Sequence, residues 1–169
     1  MEFPNSSLHL LPMIIYRPFE GTPGAAEIER LLEKNGLRPA WRYGMFPFNH
    51  YHSNTHEVLV PYQGHAELAF GHSSSPTSIR HSARPGDVFI VPAGVVHRSL
   101  SSSSDFMMVG SYPVGSKDWD NCRGGDDTAE GSKRWERVKK LGDRSQWPGK
   151  DPVYGDDKAA PLFKLWGDA

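Results

Sequence analysis

A single cysteine, Cys122, stands in the whole chain. No internal disulfide can form, so burial and hydrogen bonding must hold the fold, as expected in a reducing compartment. Long apolar runs are also missing. The stretch from Leu8 to Tyr16 is interrupted by His9 and Pro12 and is too short to cross a bilayer. Glu2 and the lack of an early basic cluster argue against a secretory leader. A cytoplasmic protein with no membrane association is expected. Neither charge dominates: 19 Lys and Arg face 20 Asp and Glu, for a net charge of -1. A nucleic-acid interface needs a basic patch or stripe. The most basic stretch, Lys133 to Lys140, is short and flanked by acids, so no nucleic-acid partner is expected. Phosphate-binding loops are missing too, since Gly124-Gly125-Asp126 lacks the Lys-Ser/Thr that would follow. There is no Gly-x-Ser-x-Gly turn, and Cys122 has no partner constellation. Nucleotide cofactors and a separate side-chain nucleophile are therefore not expected.

What the chain does have is turns and rings. Its 17 Gly and 14 Pro are interspersed with eight Phe, six Tyr and five Trp. That mixture predicts short strands joined by tight turns. At 169 residues the chain suits one domain. Residues 1–40 read as a strand and a helix packing on a barrel, 41–113 as the barrel core, and 114–169 as an extension packing back on it. Met13 to Tyr16 is a β-branched run and predicts a strand. Ala25 to Leu37 predicts a helix, with Thr22 as cap, Pro23 in the first turn, Ile28, Leu31 and Leu32 on one face, and Asn35-Gly36 as the stop. Strands are predicted over Trp41 to Phe48, Glu57 to Tyr62, His65 to Phe70, Asp87 to Val91 and Phe106 to Tyr112. Gln63-Gly64 reads as a hairpin turn between two of them. Ser73 to Ser78 and Ser101 to Ser104 read as loops. In the extension, Trp135 and Val138 suit a short helix over 132–140, and Trp147, Tyr154, Phe163 and Trp166 suit pins onto the barrel. The fold class is all-β, a sandwich or small barrel.

The chemically informative segment runs from Gly44 to Glu57. His50 and His52 are two apart, so in a strand their rings lie side by side on one face. Glu57 opens the next strand and can turn onto the same site. His97, just after the turn Pro92-Ala93-Gly94, can close the group. Imidazole with carboxylate suits one divalent transition metal, Fe, Mn, Ni, Zn or Cu, rather than an all-oxygen Ca²⁺ or Mg²⁺ cage. On spacing alone, the same histidines equally suit a surface pair or hydrogen-bonded core residues. His56 adjoins Glu57 and faces the other way in a regular strand, unless a bulge reverses the two. If Trp41 to His52 is one strand, Arg42, Phe46 and Phe48 share the inward face with the histidines. Arg42 then becomes the cation that holds a substrate carboxylate, enolate or phenolate near the metal; a surface salt bridge is its other reading. Tyr51, Tyr43, Asn49, Tyr112 and Tyr154 are polar candidates for the rim. Arg42 and Tyr51 are the candidate catalytic residues.

The spacing Gly44-x5-His50-x-His52-x4-Glu57-x6-Gly64 resembles the first cupin motif, and Gly86-x5-Pro92-x-Gly94-x2-His97 resembles the second. Ser101 replaces the asparagine usual at the end of the second. Trp41-Arg42, His50-Tyr-His-Ser, Thr55-His56-Glu57-Val-Leu, Val109-Gly110-Ser-Tyr-Pro113 and Asp151-Pro-Val-Tyr-Gly155 resemble the YjlB-like single-domain cupins. Val60-Pro61 departs from that group and suggests an edge or a bulge. The resemblance implies a double-stranded β-helix, the cupin jelly-roll barrel, with one external N-terminal helix and an irregular C-terminal extension. It implies that His50, His52, Glu57 and His97 hold the metal. It also implies a homodimer, often made by lending the N-terminal strand, here Met13 to Tyr16, to the partner. The function it implies is a metal-dependent enzyme acting on a small-molecule ligand, of dioxygenase, isomerase or lyase type. A non-catalytic binding or sensing barrel and a storage protein are the alternatives.

Overall fold

The computed structural model describes residues 11–71, 78–123, 133, 136, 138 and 147–167. Within them run eight strands: β1 (Ile14–Tyr16), β2 (Leu37–Tyr43), β3 (Glu57–Gln63), β4 (Ala66–Phe70), β5 (Ile79–Ala83), β6 (Val88–Val91), β7 (His97–Ser102) and β8 (Met107–Pro113). Helix α1 spans Ala25–Lys34 and helix α2 spans Pro161–Trp166. All strand pairs are antiparallel, in a five-stranded sheet ordered β1-β6-β3-β8-β2 and a three-stranded sheet ordered β5-β4-β7. The two sheets make the jelly roll.

Strands β3 and β6 of the larger sheet are buried on both faces, which explains their apolar runs. Side chains alternate along a strand. Leu59, Phe89, Val91 and Met108 point inward to Leu68 and Phe70 of the smaller sheet. Val58, Val60, Val88, Ile90 and Val109 point outward. That outer face is covered by Ile28 and Leu32 of α1 and by Trp147, Phe163 and Trp166 of the C-terminal segment.

Several expectations change here. Gln63-Gly64 does not close a hairpin, because β3 and β4 lie in different sheets. Gly64 adopts a positive φ of 67° where the chain crosses between them, and a Cβ there would run into Ser103, Asp105 and Phe106. Turn chemistry marks a sharp reversal but not which strand receives the chain. Strands β5 and β7 were not anticipated, since Ile79–Ala83 is mostly polar and β7 runs into the serine stretch read as a loop. Both lie in the smaller sheet, pairing with β4 through the backbone. Pro61 sits in a central strand, tolerated by a register shift between Pro61 and Gln63. Helix α1 is capped at Gly24, whose N–H reaches the Glu27 carboxylate at 3.4 Å, and not at Thr22. Leu37 opens β2 instead of ending the helix. Strand β1 pairs with β6 of its own chain, Ile14 opposite Ile90. The turn at 73–77 and most of the helix expected over 132–140, Trp135 included, lie outside the described residues; Val138 of that stretch is helical and buried.

The C-terminal segment is tied down by polar bonds as well. Asp151 is fully buried and accepts bonds from the Tyr16 hydroxyl at 2.8 Å and the Val153, Tyr154 and Leu162 N–H groups. The Asn35 amide donates to the Pro152 carbonyl at 2.8 Å, and the Trp166 indole N–H to the Pro12 carbonyl at 2.8 Å.

Candidate metal centre

His50 and His97 face each other across a two-residue antiparallel bridge. His50 N–H donates to the His97 carbonyl at 3.2 Å, and His97 N–H to the His50 carbonyl at 2.9 Å. Directly opposed residues project to the same side of such a bridge, and their rings come within 4.1 Å between centroids. His52 is held by its carbonyl, which accepts the Gly94 N–H at 2.8 Å. Gly94 has a φ of +85°, which the turn at Pro92-Ala93-Gly94 needs. Glu57 opens β3 opposite Val91, on the inward face. Thus two sequence-distant turns converge on one end of the barrel.

All three imidazoles are oriented the same way. Nδ1 of His50 lies 3.2 Å from the Phe48 carbonyl, Nδ1 of His97 lies 2.9 Å from the Val95 carbonyl, and Nδ1 of His52 contacts the Asp120 carbonyl. A carbonyl can only accept, so each Nδ1 carries the hydrogen, and in its neutral form each ring presents its Nε2 lone pair inward. The three rings offer donor atoms within 4.8 Å of one another and could hold a metal ion. Glu57 Oε2 lies 3.4 Å from Nε2 of both His52 and His97. Its other oxygen accepts the Tyr112 hydroxyl at 2.7 Å, while no hydrogen-bond donor satisfies Oε2.

Such an oxygen opposed by two lone pairs needs a proton or a cation between them. Burial disfavours a charged His52, but attraction and hydrogen bonding to Glu57 outweigh it and leave its pKa raised. Burial likewise pushes Glu57 up, yet His52 and His97 bring it well below the usual carboxylate range. Burial, with the charges of His97 and His52, lowers His50 to about 3, so its ring is neutral at working pH. A divalent transition metal fits this donor set: neutral imidazole nitrogens, one carboxylate, and a buried oxygen lacking a partner.

Around Glu57 runs a short relay. The Trp41 indole N–H donates to the Tyr112 hydroxyl at 3.0 Å, which in turn donates to Glu57. Trp41 lies flat on Gly110, where any Cβ would run into the indole. Burial and the Glu57 charge raise the Tyr112 pKa far above its ordinary value, so it remains a hydroxyl donor. Trp119 stacks on Tyr112 at 6.1 Å and 20°, and meets the His52 ring edge at 6.0 Å. The adjacent Asp120 holds the His52 loop, accepting from Ser53 N–H at 2.7 Å and Ser53 Oγ at 2.5 Å.

The donor atoms open onto a cavity of about 300 Å³, walled largely by Trp41, Met45, Phe46, Leu59, Met108 and Trp119. Two expected residues are not placed as anticipated. Arg42 reaches the cavity mouth, but its guanidinium turns outward and grips the Glu29 carboxylate of α1 at 2.7 and 2.6 Å. The assumed single strand from Trp41 to His52 ends at Tyr43, and a register shift at Pro39/Trp41 turns Trp41 inward instead. Tyr51 alternates with its histidine neighbours, is not on the cavity wall, and is buried with Val96, Cys122 and Val138. His56 does face away from the cavity. Its ring packs near Trp147 and Trp166, and its Nδ1 accepts the Ala93 N–H at 3.0 Å.

Trp41, Trp119 and Asp120 were not recognised as parts of the site from spacing. Trp119 and Asp120 lie in the extension, and no periodicity links them to His52. The one available signal was the aromatic content of that extension.

A metal-fitting cluster at one end of a two-sheet antiparallel barrel, with both glycine-spaced motifs supplying it, defines a protein class: the chain belongs to the cupin family. The Cupin pattern matches residues 41–112. Uncharacterized protein YjlB of Bacillus subtilis (strain 168) is 35% identical over 155 residues, covering 92% of this chain and 86% of that protein. This chain is therefore a YjlB-like cupin. Among solved structures, vicilin from Corylus avellana (hazelnut) aligns at 16% identity with a TM-score of 0.40, covering 86% of this chain and 44% of the vicilin chain. The chain thus spans less than half of that vicilin. Among the described residues, no helix is long and apolar enough to cross a membrane.

Proposed function

We propose that this cupin is a metal-dependent enzyme acting on a small organic molecule, with His50, His52, Glu57 and His97 holding one divalent transition metal. The carrying observation is the convergence of three imidazole Nε2 atoms and the unsatisfied Glu57 Oε2 on the inner end of an open cavity. A bound metal would supply Lewis acidity to a coordinated oxygen, and redox chemistry if it is iron. The chain's own groups do the rest. The three carbonyls fix the imidazole tautomers. Trp41 and Tyr112 aim the carboxylate. The apolar walls exclude water and orient the ligand.

A second reading, a non-catalytic binding or sensing barrel, is favoured by one observation. Among the described cavity residues, Tyr112 is the sole proton-bearing group besides the proposed ligands that is buried beside them. A homodimer in the cytoplasm belongs to the same proposal on the strength of the family, and light scattering would measure the assembly.

The test is the metal content of protein purified without a metal-affinity step, wild type beside His50→Ala. One equivalent of a transition metal in the wild type, lost in the variant, supports the site. Wild type that neither carries nor takes up metal on titration sinks it. Turnover of a small-molecule panel by metal-loaded protein then separates enzyme from binding barrel.

A further inference from the structure

The cavity walls carry information about the ligand that the metal-fitting residues do not. Arg42 is the basic residue along the wall among the described residues, and Glu29 neutralises it outside. The acid at the inner end, Glu57, is committed to Tyr112 and the imidazoles. With neutral imidazoles, a divalent ion and this carboxylate leave a single net positive charge at the head of the cavity. One anionic oxygen on a ligand would cancel it. A second anionic group further out would meet Leu59, Met45, Met108 and aromatic rings, and at the mouth an Arg42 already paired with Glu29, where a poorly compensated charge is costly.

The shape adds a second constraint. About 300 Å³ lies at the small end of ligand cavities and suits one ring with a short substituent. The mouth is walled by flat faces. Trp119 is stacked on Tyr112 yet remains 42% exposed, beside the His52 ring. An exposed indole next to a buried polar cluster is a ready face for another ring.

Resting on the metal reading above, we infer that the site takes a single-ring, planar molecule with one chelating, singly anionic oxygen head and an uncharged body, and that Trp119 is its stacking partner. Ligands with a distal carboxylate or phosphate are rejected.

The experiment uses the full chain loaded with zinc, which is redox-silent, and a matched pair of probes. These are para-methylbenzohydroxamate and para-carboxybenzohydroxamate, with the same chelating head and different distal charge. Binding is read by calorimetry, with zinc content measured on the same samples. The methyl probe is expected to bind about tenfold or more tighter. Trp119→Ala is expected to weaken it about fivefold at unchanged zinc content, and Arg42→Ala to leave the preference unaltered. Equal or tighter binding of the carboxylate probe to zinc-loaded wild type overturns the inference while leaving the metal reading intact. Loss of that carboxylate affinity in Arg42→Ala would restore Arg42 as the anchor. Wild type that holds no zinc overturns both.

Discussion

Tyr112 decides the orientation of the one carboxylate in the centre. Its hydroxyl is the donor to Glu57 Oε1 and the acceptor for Trp41. Tyr112→Phe keeps the ring and the volume but leaves a buried carboxylate oxygen and an indole N–H without partners. Unfolding free energy in denaturant should fall by about 1–3 kcal/mol. Zinc affinity, read by chelator competition, should fall by about 10- to 100-fold. An unchanged zinc affinity would show that the relay does not set the position of Glu57. Residue-level legibility was uneven. His50, His52 and His97, which the structure brings together, could be named through the resemblance to the two cupin motifs; their spacing alone left a surface pair or core residues equally open. For Arg42 the sequence left a substrate anchor and a surface salt bridge both open, because its direction depends on a register shift at Pro39/Trp41 and on Glu29 in a different element. Tyr112 could be named as a candidate for the rim, but its bond to Glu57 joins strands 55 residues apart.

Among elements, the C-terminal segment depends most on a single side chain. Asp151 gathers Tyr16 of β1, two N–H groups of its own turn, and the first turn of α2. Burial, reinforced by the Asp151 charge, raises the Tyr16 pKa far above its ordinary value, so the hydroxyl remains a donor to it. Asp151→Ala would strand these donors in a buried site, and a loss of about 3 kcal/mol is expected in chemical denaturation. Asp151→Asn retains an acceptor oxygen and should lose less. Equal midpoints for Asp151→Ala and wild type would mean that the segment is held by its aromatic side chains alone. Strand prediction at this scale worked where apolar runs were buried on both faces, as in β3 and β6. It failed for β5 and β7, whose side chains are largely polar and whose pairing with β4 runs through the backbone.

At the scale of the whole molecule, the larger sheet separates two functions. Its outer face supports stability through α1, Trp147 and Trp166, and its inner face builds the cavity. Trp166→Ala should therefore destabilise the protein by about 3–5 kcal/mol in denaturant, while the folded variant retains the zinc stoichiometry of the wild type. A variant that is folded at room temperature yet loses zinc would show that the faces are coupled. The all-β architecture was accessible from turns and alternation, which are written along the chain, and the family from its two glycine- and histidine-spaced motifs. Pairing partners were not: Gly64 announces a reversal, but long-range packing sends β3 and β4 into different sheets. Nor was the character of the cavity, since the Arg42 guanidinium at its mouth turns to Glu29 and Trp119 reaches it from the extension. Both outcomes arise from contacts between residues far apart in the chain, which no local period records.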